Sequence, residues 1–425
     1  MKNWFLLPLI LILSCNQRTK TGPNIKSPQT IDYGSDSLIL TNVQYYDKIL
    51  GALVGSAIGD AMGASTEMWD RKAIQLKYGY ITGLTPAVRE QSPEGTWDHN
   101  LMAGATTDDT RWKYLMIKYF EQYTGKLNPN NFSKFIIEYY ATLTNSLVNE
   151  ETKRNIDYLD DQIEKIEWIK EWARVALAYQ DNTSSYLKAT NRFYGGEMSC
   201  AGQLYTPMLG LVTKNPTTAY NLAYDHSIFD IGYAKDISAT VAAMTNMALQ
   251  TKNIDSLLDT ATFTDPLGYQ DSRLVGRIPF TILKNARTQV NSINNLVIVD
   301  SSFVNRDTRF EVPKGFPGTT SDWIKQEMLY QLLEKDKRAI AFHSAEIWQI
   351  MITGIAYGNG DFEKTMQFIV NYGRDNDTVA AVAGMILGAQ IGYTNLPESL
   401  KHEIIKVNKN YLHLDLETMA KTMAP

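Results

Sequence analysis

The stretch GRDNDTVAAVAGMILGA (373–389) places two aspartates and a threonine at the start of a run of small apolar residues. Apolar residues at three- and four-residue intervals predict a helix over 376–392. Its alanines and glycines would allow close approach of a neighbouring helix. Asp375 and Asp377 stand where side-chain oxygens cap a helix, but a cap needs one such residue. Two interpretations stay open, a cap with an additional surface charge or a pair of carboxylates that holds a cation.

The same helical spacing recurs through most of the chain and predicts an all-α body. It extends over 110–123, 131–147, 157–179, 216–224, 235–250, 342–357, 361–372 and 398–409. The best strand candidate is NLVIVDSSFV (295–304). It lies in a less regular stretch from about 255 to 340, which we interpret as a partly irregular insertion or lid.

Composition restricts the class of protein. The 425 residues are 44% hydrophobic and 20% charged, which is ordinary for a globular protein. The formal charge is −5, and the sequence has no runs of Lys or Arg that would neutralise phosphates. We therefore expect no nucleic-acid partner.

The N-terminus predicts export. An apolar run from Trp4 to Leu13 is too short to span a bilayer, and it ends in Ser14-Cys15, which resembles the lipobox of bacterial lipoproteins. We expect a signal peptide at 1–14, lipidation of Cys15, a flexible tether at 15–42 and one domain at 43–425. The lipid would be the sole membrane contact, at the periplasmic face or the cell surface. A plain signal peptide and a buried first helix are the alternatives.

Glycines and alanines also recur in GALVGSAIGDAMGASTE (51–67). Because glycine inside a helix costs about 1 kcal/mol relative to alanine, so many of them predict close packing or a bend. Asp60 and Gly63 interrupt the apolar face, and the segment ends in the polar Glu67. Taken alone, Asp60 and Glu67 could be a helix-end cap and a solvated surface residue.

A second acidic cluster occurs in GATTDDTRWKYLMIKYF (104–120). Thr107, Asp108 and Asp109 precede an aromatic helix, and adjacent carboxylates repel unless a cation binds between them. Capping alone is the alternative. Together with Asp375 and Asp377, the cluster offers four carboxylates with no Cys or His, which suits Mg²⁺ or Mn²⁺ rather than zinc. The sequence therefore predicts a site for two divalent ions.

Three stretches, in this order, resemble the ADP-ribosylglycohydrolase family. GDAMGASTE (59–67) matches the family's G-D-A-x-G-x-x-x-E, ATTDDTRW (105–112) contains its T-D-D-T, and NYGRDNDTVAAVAGMILGAQIGYTNLP (371–397) matches its G-x-D-x-D-T motif and the small-residue pattern that follows. The resemblance implies an all-α orthogonal bundle with two Mg²⁺ or Mn²⁺ ions. It carries the metal ligands onto Thr107, Asp108, Asp109, Asp375, Asp377 and Thr378, and an acid/base role onto Glu67, with Asp109 and Asp377 as further catalytic candidates.

The middle of the chain departs from the family. The loop YGGEMSCAGQLYTPMLGL (194–211) keeps glycines and a serine of the family's phosphate and ribose loop but lacks its arginine. On this resemblance Gly195, Gly196 and Ser199 are substrate-binding candidates. His226 is a fourth candidate, in Asp225-His226 where the family has Thr-His, although a lone histidine is more often structural. Among the aromatic residues, Tyr194, Tyr205 or Trp112 could stack on adenine.

The resemblance implies hydrolysis of a glycosidic bond at the ribose anomeric carbon of an ADP-ribosylated small molecule or protein, by a monomer. Two alternatives stay open at this point. A dimetal phosphohydrolase would use the same carboxylates on a phosphoester, and a surface lipoprotein could bind ADP-ribose or carbohydrate through metal without turnover.

Overall fold

The computed structural model describes residues 40–88, 100–147, 166–298 and 310–424. The predicted signal peptide, the predicted lipidation site Cys15 and nearly all of the predicted tether lie outside these residues. The all-α architecture is confirmed, with 17 α-helices in the described ranges. The helices are α1 (Asn42–Gly63), α2 (Arg71–Tyr78), α3 (Asp108–Gln122), α4 (Pro129–Leu147), α5 (Glu167–Asp181), α6 (Thr183–Arg192), α7 (Ala201–Leu211), α8 (Pro216–His226), α9 (Ala234–Ala248), α10 (Ile254–Phe263), α11 (Ile278–Asn294), α12 (Thr320–Lys335), α13 (Ser344–Gly358), α14 (Phe362–Tyr372), α15 (Asn376–Ile391), α16 (Glu398–Asn410) and α17 (Leu416–Met423).

The four strands are two residues each: β1 (Trp69–Asp70), β2 (Ala87–Val88), β3 (Asn100–Leu101) and β4 (Gly373–Arg374). They form two antiparallel pairs, β1 with β4 and β2 with β3. Residues 295–298 of the strand candidate are not a strand, and the rest of it lies outside the described residues. The stretch from 255 to 340 contains most of α10 and all of α11 and α12, so much of its described part is helical.

Helices α1 and α15 pack against each other along glycines, and this contact forms the centre of the fold. A Cβ atom added at Gly55 or Gly59 of α1 would overlap the backbone carbonyl of Gly384 or Ala380 of α15. Gly63 lies in the same way against the backbone of Asp377. The glycines predicted to serve close packing therefore bring the C-terminal end of α1 onto the N-terminal end of α15.

The segment Asn42–Thr66, which includes α1, is long and apolar enough to span a membrane by length and composition. Its apolar window is completely buried by other parts of the chain. Burial of this kind is typical of the central helix of a globular core.

An aromatic cluster fixes the direction of α3. Trp112 on α3 is fully buried, and its ring centroid lies 4.4 Å from that of Trp172 on α5 and 5.4 Å from that of Tyr205 on α7. Buried aromatic side chains contribute large apolar contact areas. The N-terminal end of α3 is thereby held against α1 and α15, where the acidic residues lie.

Candidate metal centre and active site

The three acidic segments predicted from the sequence meet in one cleft. Glu67 follows α1, Asp108 and Asp109 begin α3, and Asp375 and Asp377 begin α15. The cleft is lined by Glu67, Asp108, Asp109, Tyr194, Cys200, Ala201, Leu204, Phe342, Asp375, Asp377 and Thr378. The carboxylates are buried, so they are not the solvated surface charges of the alternative interpretation.

A short strand pair places Glu67 beside Asp375. Strand β1 follows Glu67 by one residue, and β4 immediately precedes Asp375. Trp69 pairs with Arg374, and the backbone N–H of Met68 donates to the Arg374 carbonyl at 2.7 Å. Glu67 and Asp375 therefore lie next to each other at the end of the β1–β4 pair where β1 begins and β4 ends. Carboxylate oxygens of Glu67, Asp375 and Asp377 all lie within 4.8 Å of one another.

Asp60 caps α3 from α1. Its carboxylate accepts hydrogen bonds from the backbone N–H groups of Thr107 at 3.0 Å and Thr110 at 3.1 Å, and from both of their hydroxyls at 3.0 and 2.6 Å. Two of these bonds satisfy backbone amides at the start of α3, and the other two orient the hydroxyls of Thr107 and Thr110. Burial, and next the charge of Asp109, raise the pKa of Asp60 to about 7. The sequence reasoning considered a cap here, but the helix that Asp60 caps is α3.

Asp109 already has partners on both carboxylate oxygens. Thr378 Oγ1 donates to Asp109 Oδ2 at 3.0 Å, and Lys113 Nζ lies 3.5 Å from Asp109 Oδ1. Lys113 is one turn later on α3 and is itself buried. Burial raises the pKa of Asp109, and the Lys113 charge opposes that rise.

Asp377 is the least satisfied of the carboxylates. Its Oδ1 atom is buried without a hydrogen-bond partner. Burial raises the pKa of Asp377 well above its usual range, and the charges of Glu67, Asp375 and Asp109 raise it further. A buried carboxylate surrounded by others needs a proton or a cation.

The residues present fit a divalent metal. Asp375 is the N-cap residue of α15, yet its side chain makes no capping hydrogen bond and lies beside Cys200 Sγ at 3.8 Å. Carboxylate and hydroxyl oxygens in this number suit Mg²⁺ or Mn²⁺. The geometry also groups Glu67 with Asp375 and Asp377, whereas the sequence reasoning gave Glu67 a role in proton transfer alone.

The substrate-binding candidates fall in different places. Gly195 and Gly196 are exposed, in a turn with positive φ of 69° and 83° that glycine adopts without strain. Ser199 is buried and forms a backbone bridge with His343. Their assignment as substrate-binding residues stays a prediction.

His226 lies in the aromatic core. It is fully buried, its Nε2 is 3.0 Å from the Tyr119 hydroxyl, and its Nδ1 is 2.7 Å from the Leu222 carbonyl oxygen. Burial lowers the pKa of His226 to about 4, so it is neutral at physiological pH. This environment is that of a structural histidine, and it does not put the imidazole at the cleft.

Of the three aromatic candidates, Trp112 and Tyr205 are core residues and Tyr194 lines the cleft. The Tyr194 backbone is left-handed, with φ 46°. Its ring centroid lies 5.1 Å from that of Phe342, another lining residue. The segments carrying these rings are joined, since the backbone N–H of Cys200 donates to the Phe342 carbonyl at 2.9 Å.

Sequence reasoning missed Lys113, Cys200 and Phe342 at this site. Cys200 and Phe342 carry no local signal, since a single cysteine or a phenylalanine before a helix is common. The position of Lys113 could have been inferred from its spacing, because residues four apart in a helix are neighbours.

Comparison with known proteins agrees with the sequence motifs. Residues 41–424 match the family model for ADP-ribosylglycohydrolase. The chain is also similar to an Escherichia coli (strain K12) protein described as uncharacterized protein YegU, at 29% identity over 93 residues. That match covers 22% of this chain and 27% of the length of that relative.

One solved structure, an ADP-ribosylglycohydrolase-related protein complex, is similar with a TM-score of 0.50 and 18% sequence identity. The similarity covers 90% of this chain and 98% of that chain. At this identity the similarity shows the fold alone.

Proposed function

The chain belongs to the ADP-ribosylglycohydrolase family, and from this premise we propose that it hydrolyses the glycosidic bond at the ribose anomeric carbon of ADP-ribose or a related ADP-ribosylated molecule. Family membership supports a glycohydrolase-type function. The observation that carries the finer proposal is the convergence of Glu67, Asp375 and Asp377, buried and within 4.8 Å, on a cleft with Asp108 and Asp109.

The cleft residues would hold divalent metal, for which we propose two Mg²⁺, with Mn²⁺ as a substitute. The proposed ligands are Thr107, Asp108, Asp109, Asp375, Asp377 and Thr378, and Glu67 would also contribute to an ion held beside Asp375 and Asp377. Bound ions would neutralise the carboxylates and polarise substrate oxygens and a water molecule. The unpartnered Oδ1 of Asp377 supports this proposal, because a buried carboxylate oxygen with no donor is costly without a cation.

Glu67 would act as the general acid and base of the reaction. In hydrolysis the bond from the anomeric carbon to the leaving group breaks and a bond from that carbon to the water oxygen forms, through an oxocarbenium-like transition state. Glu67 would take a proton from the attacking water, and the leaving group would gain a proton from the protonated Glu67 or from solvent. The position of Glu67 supports this role, because its side chain lines the cleft, is 6% exposed and lies beside Asp375 and Asp377.

Tyr194 and Phe342 would contact the aromatic part of the substrate. Both rings line the cleft and are half-buried, so part of each is available to a ligand. Offset or tilted contacts between aromatic rings are favourable. An adenine base held there would use binding energy remote from the scissile bond to position it.

The proposal is tested by identifying the products that the chain releases from ADP-ribosylated compounds. The full chain with Mg²⁺ is incubated with ADP-ribosylated arginine, ADP-ribosylated serine and free ADP-ribose derivatives, and the products are identified by mass spectrometry. The proposal predicts release of intact ADP-ribose, or of a ribose with a free anomeric hydroxyl, from at least one of them.

Two outcomes would contradict it. Inorganic phosphate or AMP as the initial product would indicate a phosphohydrolase. Binding of ADP-ribose with no turnover of any substrate in the panel would indicate a binding protein. The variant Glu67→Gln should lose the hydrolytic activity. Its matched control is Glu403→Gln, because Glu403 forms a surface pair with Lys406, so its substitution should leave the products and the rate unchanged.

A further inference from the structure

Lys113 is a buried ammonium group beside the carboxylates. Its side chain is 1% exposed, and its Nζ atom lies 3.5 Å from Asp109 Oδ1, whose side chain is 2% exposed. A charged group is expensive to bury unless it is paired, so the pairing with Asp109 accounts for its position. A positive charge therefore lies next to Asp109, one of the residues that line the cleft and that the sequence motif predicts as metal ligands.

The oxygens on this side of the cleft have partners within the protein. Asp109 Oδ2 accepts the hydroxyl proton of Thr378 at 3.0 Å. The Thr107 hydroxyl donates to Asp60 at 3.0 Å and accepts from the backbone N–H of Asp109 at 3.4 Å. An ion that binds here has to approach an ammonium group and compete with existing contacts.

The opposite side contains a carboxylate oxygen with no hydrogen-bond partner, that of Asp377. Glu67, Asp375 and Asp377 present three carboxylates within 4.8 Å. Asp377 Oδ1 is buried with no hydrogen-bond partner, and Asp377 is 2% exposed. Negative charge is concentrated and incompletely satisfied there, which favours a cation.

We propose that Lys113 is a built-in counter-ion of Asp109 that makes the two metal positions unequal. The first divalent ion binds to Glu67, Asp375 and Asp377, and the second, toward Thr107, Asp108 and Asp109, binds weakly because Lys113 repels it. Lys113 is a positioning residue, acting through Asp109. This inference rests on the metal dependence in the proposed function but not on the bond that is cleaved.

The test is a Mn²⁺ titration of the full chain, followed by electron paramagnetic resonance of free Mn²⁺ and by calorimetry. The parent chain should bind two ions in separable steps, the second at least about tenfold more weakly. Lys113→Met removes the charge and keeps the length of the side chain. It should tighten the second step about tenfold or more, since repulsion between buried charges falls when one is removed, and should leave the first step nearly unchanged.

Lys118→Met is the control, because Lys118 lies on the same helix, is 43% exposed and pairs with Glu121. It should reproduce the parent isotherm. If Lys113→Met does not fold, the parent isotherm still decides: two ions of equal affinity overturn the proposal. A variant that loses stability while keeping the parental ratio of affinities also overturns it.

The outcome separates this inference from the proposed function. Unequal Mn²⁺ binding with no hydrolysis of the substrate panel would contradict the glycohydrolase and leave the role of Lys113 standing. Hydrolysis with two equal ions would contradict the role of Lys113 alone. A chain that binds no Mn²⁺ would contradict both.

Discussion

Glu67 and Asp375 present carboxylate oxygens within 4.8 Å of each other although they come from opposite ends of the domain. The β1–β4 pair that precedes Asp375 and follows Glu67 fixes this relationship, together with the 2.7 Å hydrogen bond from Met68 to Arg374. Two like charges at this distance in a buried cleft repel, and a bound cation would relieve the repulsion. The fold thus concentrates negative charge where the chemistry is proposed to occur.

Glu67→Gln tests the role of this carboxylate in proton transfer. At saturating Mg²⁺ we expect kcat to fall by about 10²–10⁴, the usual contribution of general acid–base catalysis. The Mg²⁺ concentration has to be saturating, because the Glu67 carboxylate also lies beside Asp375 and Asp377 and its removal should weaken Mg²⁺ binding. Steady-state kinetics on the best substrate checks the prediction. A parental kcat for Glu67→Gln, alongside a parental Glu403→Gln control, would remove Glu67 from the chemical step.

Mg²⁺ should stabilise the chain more at pH 8 than at pH 5.5. The pKa of Asp60 is raised from 3.8 to about 7, mainly by burial, and burial also raises the pKa of Asp377 well above its usual range. A carboxyl with a raised pKa binds its proton more tightly in the folded state, so the metal-free chain loses stability as pH rises from about 4 through the folded pKa values. Bound cations offset that loss once the carboxylates are ionised.

The measurement is the difference in Tm with Mg²⁺ and with chelator at the two pH values. Taking the difference cancels His226, whose lowered pKa acts in the opposite direction in both conditions. Asp377→Asn should raise the Tm of the metal-free chain at pH 8, since it removes a repelled charge, and should reduce the gain from Mg²⁺. An equal gain at both pH values would argue against ionised carboxylates as the ligands.

Gly59→Ala should separate α1 from α15. The added methyl group would overlap the Ala380 carbonyl, and overpacking of this kind costs about 1–3 kcal/mol. Because Asp60 and Asp377 are carried by these two helices, the variant should also weaken Mg²⁺ binding. Gly83→Ala is the matched control, since its new Cβ would meet only Leu400 Cδ2 at 3.9 Å. Chemical denaturation and a metal titration that distinguish neither variant from the parent would refute the close-packing explanation.

His226→Ala should lower stability without changing catalysis. It removes a fully buried ring together with contacts to Tyr119 and Leu222, and truncation of a buried aromatic costs about 3–5 kcal/mol. Denaturation and kinetics below the Tm of the variant measure the two effects separately. If kcat/KM falls by more than the fraction of unfolded variant can explain, His226 would again be a substrate-binding candidate.

Much of the helical architecture follows from the sequence because it depends on local periodicity. Helices predicted at 216–224 and 361–372 lie at 216–226 and 362–372. The acidic N-terminal ends of α3 and α15 could also be predicted from the sequence, since capping residues and helix starts are encoded within a few positions. The regular part of 255–340 was less evident because its helices are separated by loops rich in Asp, Pro and Gly.

The environment of the site could not be read from local patterns. Asp60 caps a helix other than its own, and Glu67 is positioned by strands of two residues, which are too short to show alternation. The pairing of Tyr194 with Phe342 depends on two distant segments meeting. Such contacts are set by tertiary packing, and a single sequence records them only through the resemblance to a family.

Anomalous diffraction from crystals of the full chain soaked in Mn²⁺ tests most directly whether Glu67, Asp375 and Asp377 hold a divalent ion. We expect a strong anomalous peak among these three carboxylates at low Mn²⁺ concentration, with a weaker peak toward Asp108 and Asp109 at higher concentration. Absence of an anomalous peak in the cleft at saturating Mn²⁺, or peaks only at surface carboxylates, would contradict the metal centre and the hydrolytic function that depends on it.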